Sequence, residues 1–200
     1  MSKQTEIIKR RYNRIAPVFN TMDKMVRPSW RKEMLAKAEG KVLEVGIDTG
    51  ANLPFYPSAV TYVTGIDFSS KMIKLAKEEA EKAPVPVKLM EMDAEERDFP
   101  DASFDTVVTA CVFCSVPDPV QGLKELKRVL KPGGKVLMLE HMRSEHVVLG
   151  KLMDIINPIT VGMWGANINR KTMENIQAAG LKVKQEKQLM GSIVRELTLQ

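Results

Sequence analysis

Two hundred residues, 44% hydrophobic and 28% charged, suit one α/β domain with a sizeable core, and no window of about eighteen uninterrupted apolar residues offers a membrane span. Two cysteines argue against a disulfide framework and residues 1–6 lack the apolar centre of a secretory signal, so a reducing, cytoplasmic setting is expected. The net charge of +5 is lopsided: residues 1–40 hold ten Lys/Arg against four Asp/Glu, a net of +6, while residues 41–200 come to −1.

This asymmetry divides the chain into a basic helical lid at 1–40 and a larger domain at 41–200. Ile7, Ile8, Arg11 and Tyr12 mark a first helix, which Pro17 separates from a second. There Ile15, Val18, Phe19, Met22, Met25 and Val26 fall at i, i+3, i+4, i+7, i+10 and i+11, one face of a helix opposite Asn20, Asp23 and Lys24. A third helix around 30–39 is expected to end at Gly40. Two readings of the lid stand: a cover whose charges are merely solvated, or one that also leans on anionic lipid, where each Lys or Arg contributes roughly 1 kcal/mol. Nucleic acid is not an expected partner, since the basic residues lack interleaved aromatics and a recognition motif.

The segment Lys41-Val42-Leu43-Glu44-Val45-Gly46-Ile47-Asp48-Thr49-Gly50 follows: an apolar strand that breaks into a turn with two glycines four apart. Such a turn at a strand's carboxyl end lets a backbone approach a cofactor closely. About twenty residues on, Val63-Thr64-Gly65-Ile66-Asp67 ends a second apolar run with a carboxylate, where an α/β fold places the group that meets a ribose. No third glycine follows at Ala51, Asn52 or Leu53, so the dinucleotide fingerprint is incomplete, and Glu44 would repel a phosphate. A carboxylate there suits an ammonium group, which S-adenosylmethionine carries together with a ribose and no phosphate.

Beyond it, strands and helices alternate. Strands are expected at 60–66, 87–90, 104–110 and 136–139, with a helix from Ser69 or Ser70 through Met72, Ile73, Leu75 and Ala76. A second helix opens at Asp118-Pro119, turns Val120, Leu123, Leu126 and Leu130 inward, and closes at Lys131-Pro132-Gly133-Gly134. A last helix at 171–179, capped by Gly180, leads into two alternating runs, 181–189 and 192–199, joined at Gly191. The Met and Trp residues of 153–164 are expected to form an apolar wall, as core or as a hydrophobic substrate pocket. His146 falls in a loop or at a helix start. Cys111-x-x-Cys114 stands alone after a strand, so it is read as core or pocket lining rather than as redox or metal chemistry.

These motifs resemble the class I S-adenosylmethionine-dependent methyltransferases over residues 41–200, with a weaker likeness reaching back to Tyr12. Glu44 to Gly50 looks like the family's E/D-x-G-x-G-x-G loop, Met92-Asp93-Ala94 like the segment that meets the adenine amino group, Phe104-Asp105-Thr106-Val107-Val108 like the fourth strand and Leu130-Lys131-Pro132-Gly133-Gly134 like the turn before the fifth. The resemblance implies a Rossmann-like, mostly parallel seven-stranded sheet with an antiparallel last strand, plus the N-terminal helical lid. For the cofactor it implies Tyr12 from the lid, Glu44, Val45, Gly46, Asp48, Gly50, Asn52 and Leu53 from the first loop, Asp67, Phe68 and Met72 after the second strand, Asp93 and Ala94 after the third, and Cys111 after the fourth. For the methyl acceptor it implies Phe19, Cys114, Ser115, Glu140, His141, Arg143 and Trp164, with Tyr12 and His141 as catalytic candidates and no metal. His141 is read as a general base, a substrate orienter or a structural histidine.

One departure stands out: the family's middle glycine is Asp48 here. Asp tolerates left-handed backbone angles, so the turn is expected to survive. Its charge is expected either to weaken cofactor binding, by as much as ~4 kcal/mol against a carboxylate about 4 Å away, or to be compensated by contact with the cofactor ammonium. Ala51 to Pro57, Phe113 to Val116, Glu140-His141 and Trp164 to Asn167 resemble bacterial phosphatidylethanolamine N-methyltransferases and small-thiol S-methyltransferases, and Arg11 to Phe19 resembles the lid of quinone-biosynthesis C-methyltransferases. The expected acceptor is an amphiphilic lipid amine, with a small thiol or a quinone precursor as alternatives and a cofactor-binding protein without turnover as a further one. An anionic membrane surface is the expected macroscopic partner, through peripheral association.

Overall fold

The computed structural model describes residues 5–14, 26–95 and 98–200. The helix expected at 15–26, and with it Phe19, falls outside the described residues but for Val26, which lies in a bend. Helix α1 covers 5–14 and contains Ile8, Arg11 and Tyr12 as expected. Helix α2, Pro28–Leu35, ends a turn earlier than its sequence suggests, because Ala36 already closes it. Gly40, expected as its cap, instead opens strand β1, Gly40–Val45, at φ 65°.

The elements then follow in the order β2 Val60–Asp67, α3 Ser70–Glu81, β3 Val87–Glu91, β4 Phe104–Ala110, α4 Pro119–Val129, β5 Leu130–His141, α5 Val147–Trp164, α6 Thr172–Ala178, β6 Val183–Met190 and β7 Val194–Leu199, so that strict alternation fails at β3–β4, α5–α6 and β6–β7. Ser69 caps α3 by accepting from Met72 N, and Asp118 caps α4 by accepting from Gln121 N. The expected turn at 131–134 persists inside β5 as an irregularity: Leu130 pairs with Phe104, but the next partner, Lys135, sits opposite Thr106. Lys131 and Gly134 pack there against Asp105.

Seven strands form one sheet in the order β3-β2-β1-β4-β5-β7-β6. The first five neighbours are parallel, and β7 runs antiparallel to both β5 and β6. Side chains of the central strands alternate between two cores, as strand geometry requires. Leu43, Val45, Val107, Val136 and Met138 meet Leu123, Leu126 and Ile176 of α4 and α6 on one face. Val42, Val63, Val108, Leu137 and Leu139 meet Met34, Leu35 and Ala76 of α2 and α3 on the other. The strand order reverses between β1 and β4, and a parallel sheet binds its ligand in the crevice at the carboxyl ends beside such a reversal.

Candidate active site

The loop after β1 sits at that crevice. Gly46 N and Ile47 N both donate to Ile66 O of β2, at 2.9 and 3.0 Å, which turns the chain sharply out of the sheet. Gly46 holds φ 69°, and a Cβ there would strike the Val112 side chain, so glycine is required on both counts. Asp48 adopts the left-handed φ of 49° expected of it.

Asp67 ties this loop to the next. Its Oδ1 accepts from Ser69 N at 2.8 Å and its Oδ2 from Asp48 N at 3.1 Å. Burial pushes its pKa up, against the pull of those two donors. Glu44 is likewise buried, accepting from Asn52 Nδ2 and Tyr56 Oη, each at 2.7 Å. Desolvation raises it from 4.5 to about 7, more than these hydrogen bonds and the nearby Arg31 lower it. Arg31, buried on α2, donates to Asn52 Oδ1 at 2.7 Å.

Two cavities meet at this loop. The larger is lined by Val45, Gly46 and Asp48, by Asp67, Phe68, Asp93 and Ala94 at the ends of β2 and β3, by Cys111, Val112 and Ser115 after β4, and by Thr5, Ile8 and Tyr12 of α1. The smaller is lined by Arg31, Glu44, Asn52 and Ala51, and shares Gly46 and Asp48 with the first. Helix α1 covers the larger cavity through a buried hydrogen bond of 2.5 Å between Tyr12 Oη and Ser115 Oγ. The Tyr12 ring meets Phe68 edge-on at 5.4 Å.

Asp93 supplies a test of what fits. Its Oδ1 accepts from Glu95 N at 3.0 Å, but Oδ2 is buried without a hydrogen-bond partner among the described residues. A buried acceptor left open in this way is costly unless a ligand brings a donor. An adenine amino group is such a donor. Asp67 retains lone pairs for ribose hydroxyls, and Glu44 has the charge for an ammonium. The residues present therefore fit an adenosyl amino acid.

Three of the expected cofactor residues stand behind the site rather than in it. Leu53 packs in the core beneath the loop, Met72 supports Ile8, Tyr12 and Phe68 from below, and Gly50 (φ 84°) turns the loop and donates to Ile47 O. On the acceptor side the expectations separate further. Ser115 lines the large cavity, and Cys114 beside it is buried, with its thiol pushed up to about 12, first by burial and then by Glu140. Glu140 lies under the loop: its Oε1 accepts from Val112 N and Phe113 N at 3.0 and 3.2 Å, so it shapes that loop from behind. Burial raises Glu140 to about 7. His141 lines neither cavity; it ends β5 opposite Val194, and burial lowers its pKa. Arg143 lines a separate cavity and forks onto Asp154. The Trp164 side chain lies outside the described residues.

Sequence reading missed Arg31 and Tyr56, which surround Glu44. Arg31 had a signal: with Met34, Leu35 and Ala38 it falls at i, i+3, i+4 and i+7, the buried stripe of its segment. Amid neighbouring Arg27 and Lys32 it reads as one more solvated charge.

The sheet order and the acidic, glycine-bearing loop at its reversal define an α/β domain built around a nucleoside-bearing cofactor. A family model for the methyltransferase domain matches residues 43–138. The chain is 31% identical over 166 residues to the ubiquinone/menaquinone biosynthesis C-methyltransferase UbiE of Geotalea daltonii, a match covering 76% of this chain and 70% of that protein. It belongs to the S-adenosylmethionine-dependent methyltransferases. It is also 46% identical over 108 residues to the phosphatidylethanolamine N-methyltransferase of Cereibacter sphaeroides, covering 53% of each, so the match spans about half the length of that relative. Among solved structures, a Thermotoga maritima S-adenosylmethionine-dependent methyltransferase, a possible histamine N-methyltransferase, shares the fold with a TM-score of 0.69 at 21% identity, over 95% of this chain and 98% of that one.

Proposed function

We propose that this chain moves a methyl group from S-adenosylmethionine to the primary amine of phosphatidylethanolamine at a bilayer surface. The observation that carries this reading is Asp48. Its carboxylate stands where the family has glycine, borders both cavities, and acts on Tyr12 and Cys114, raising the pKa of each in addition to the larger effect of burial. A negative wall favours a cationic headgroup approaching the site. It also keeps the proton on Cys114, and would do so for an acceptor thiol and an ammonium alike, so it selects by charge on approach rather than by ease of ionisation. The 46% identity to a phosphatidylethanolamine N-methyltransferase supports the same acceptor.

When bound, S-adenosylmethionine supplies a methyl group already activated by its sulfonium. The chain's own work is then to bind, align and keep water out. In this reading Asp93 Oδ2 receives the adenine amino group, Asp67 the ribose, and Glu44 with Asn52 the methionine end, while the Tyr12–Ser115 hydrogen bond holds α1 over the cavity. The amine must shed its proton before transfer, and His141, which borders neither cavity, is not placed to take it. The likeness to a UbiE C-methyltransferase favours a second reading, a quinone precursor as acceptor.

Labelled S-adenosylmethionine presented with phosphatidylethanolamine vesicles, an alkyl thiol or a demethylated quinol separates these. Label in the lipid amine is the expected result. Label in the quinol alone overturns the lipid reading in favour of the second. Cofactor uptake with no transfer to any of the three identifies a binding protein without turnover.

A further inference from the structure

Helix α5 is inside out. Its protein-facing side consists of Gly150, Met153 and Thr160, all buried, with half-buried Asn157 and Val161. Its opposite side carries Val148, Leu152, Ile155, Ile159 and Met163, at i, i+4, i+7, i+11 and i+15. All five are exposed, Val148 by 71% and Ile155 by 74%. A helix of a water-surrounded domain has the reverse pattern. Contiguous exposed aliphatic surface of this kind marks a contact face.

We propose that α5 lies in the plane of an anionic lipid bilayer, with this outer stripe among the acyl chains. Eighteen residues make a rod of about 27 Å at 1.5 Å per residue. No helix among the described residues is long and apolar enough to cross a membrane, so the helix rests on the bilayer rather than spanning it. Charge identifies the occupant. The helix has two charged residues, Lys151 and Asp154. Lys151 is exposed on the edge of the stripe, a turn from both Val148 and Ile155, whereas Asp154 is held by Arg143 and Asn169. Helix α1, fixed to the same rod by Arg11 donating to Val161 O at 2.6 Å, exposes Ile7, Arg10 and Arg14 at i, i+3 and i+7. An apolar stripe edged by cations is the pattern of a helix bound at an anionic lipid interface.

The rod is also tied to the site. Asn157 bonds Asn167 and Ile168 N, and Asn167 donates twice to Cys114 O, at 2.8 and 3.0 Å, in the loop that lines the large cavity. Docking through α5 would therefore hold that loop and α1 close to the lipid surface. The inference rests on the lipid-acceptor reading for its purpose, while its evidence is independent of it.

The test is co-sedimentation of the full chain with phosphatidylcholine vesicles containing phosphatidylglycerol and no phosphatidylethanolamine. The wild type is expected to bind. Ile155→Ser combined with Ile159→Ser is expected to lower the partition coefficient about tenfold or more, and Lys151→Glu to weaken binding to anionic vesicles alone. Both isoleucines are exposed, so an unchanged thermal midpoint shows that the double variant is folded. Wild type that ignores vesicles, or a double variant that binds as well as wild type, overturns the proposal. Equilibrium sedimentation covers the other occupant: a dimer that the double variant dissociates, without vesicle binding, assigns the face to a second copy. A result with neither vesicle binding nor a dimer likewise overturns the proposal. Binding to these vesicles, with no label entering phosphatidylethanolamine in the transfer assay, overturns the lipid-acceptor reading and leaves this one standing.

Discussion

A carboxyl group with a pKa near neutrality in a site for a cationic amino acid couples ligand binding to a proton. Glu44 is raised to about 7 before any ligand arrives. An ammonium beside it favours the ionised form, so its pKa falls on binding and a proton is released. Affinity is therefore expected to rise with pH up to about 7 and to level off above it, and Glu44→Gln to weaken binding while flattening that dependence. Titration across pH 5.5–8 checks this; an unchanged slope in the variant contradicts it. Asp48→Gly removes a carboxylate that lines both cavities and whose charge reaches Tyr12 and Cys114. It is expected to weaken the cofactor several-fold, and equal or tighter binding would return Asp48 to the role of a turn residue with an unhelpful charge. His141→Ala is expected to leave the pH–rate profile unchanged, because the side chain borders neither cavity. Loss of the acidic limb of that profile, the fall in rate at low pH, would restore it as a base.

Among the elements, α1 is the one whose position decides whether the cavity is covered. Tyr12→Phe keeps the ring against Phe68 but deletes the hydroxyl that meets Ser115, a hydrogen bond of about 1 kcal/mol. Cofactor release is expected to quicken roughly fivefold, measurable by stopped-flow displacement, with fold stability little altered; an unchanged release rate would mean that this contact does not hold the lid. The elements that carry the site were also the easiest to read from sequence. Glycine at positive φ, a carboxylate ending a strand, and Ser69 and Asp118 as caps are local signals, set by residues within a few positions of one another. Elements that answer to distant partners were harder. Lys131-Pro132-Gly133-Gly134 has the composition of a free turn, yet packing against Asp105 keeps it within β5 as an irregularity. The end of α2 was placed a turn late because Gly40 is as good a strand opener as a helix cap. Helix α5 is apolar on most of its circumference, so periodicity alone could not say which face looks inward, and the small and polar residues that do are poor markers of a core.

At the scale of the whole molecule, the site is assembled at a cost in stability. Glu44 and Glu140 are both raised from 4.5 to about 7 by burial, and Asp67 moves in the same direction. Between those values the folded chain holds more protons than the unfolded chain, so stability falls as pH rises. The stabilising contribution is complete below about 4.5 and gone above about 7. The cofactor-free protein is therefore expected to show a falling thermal midpoint from pH 5 to 7, with bound cofactor recovering part of the loss. A midpoint that rises through that window would mean these carboxylates are better solvated than their burial implies. Residues as far apart in sequence as Tyr12, Glu44, Asp67, Asp93 and Ser115 meet only because the strand order reverses beside β1. The measurement that bears most directly on this convergence is calorimetric titration of the chain with S-adenosylmethionine near pH 6.5 in two buffers of different ionisation enthalpy. One saturable site is expected, with proton release in the wild type, none in Glu44→Gln, and at least tenfold weaker binding in Asp93→Ala, whose open acceptor is gone. No saturable binding, or binding indifferent to both substitutions, would contradict the account.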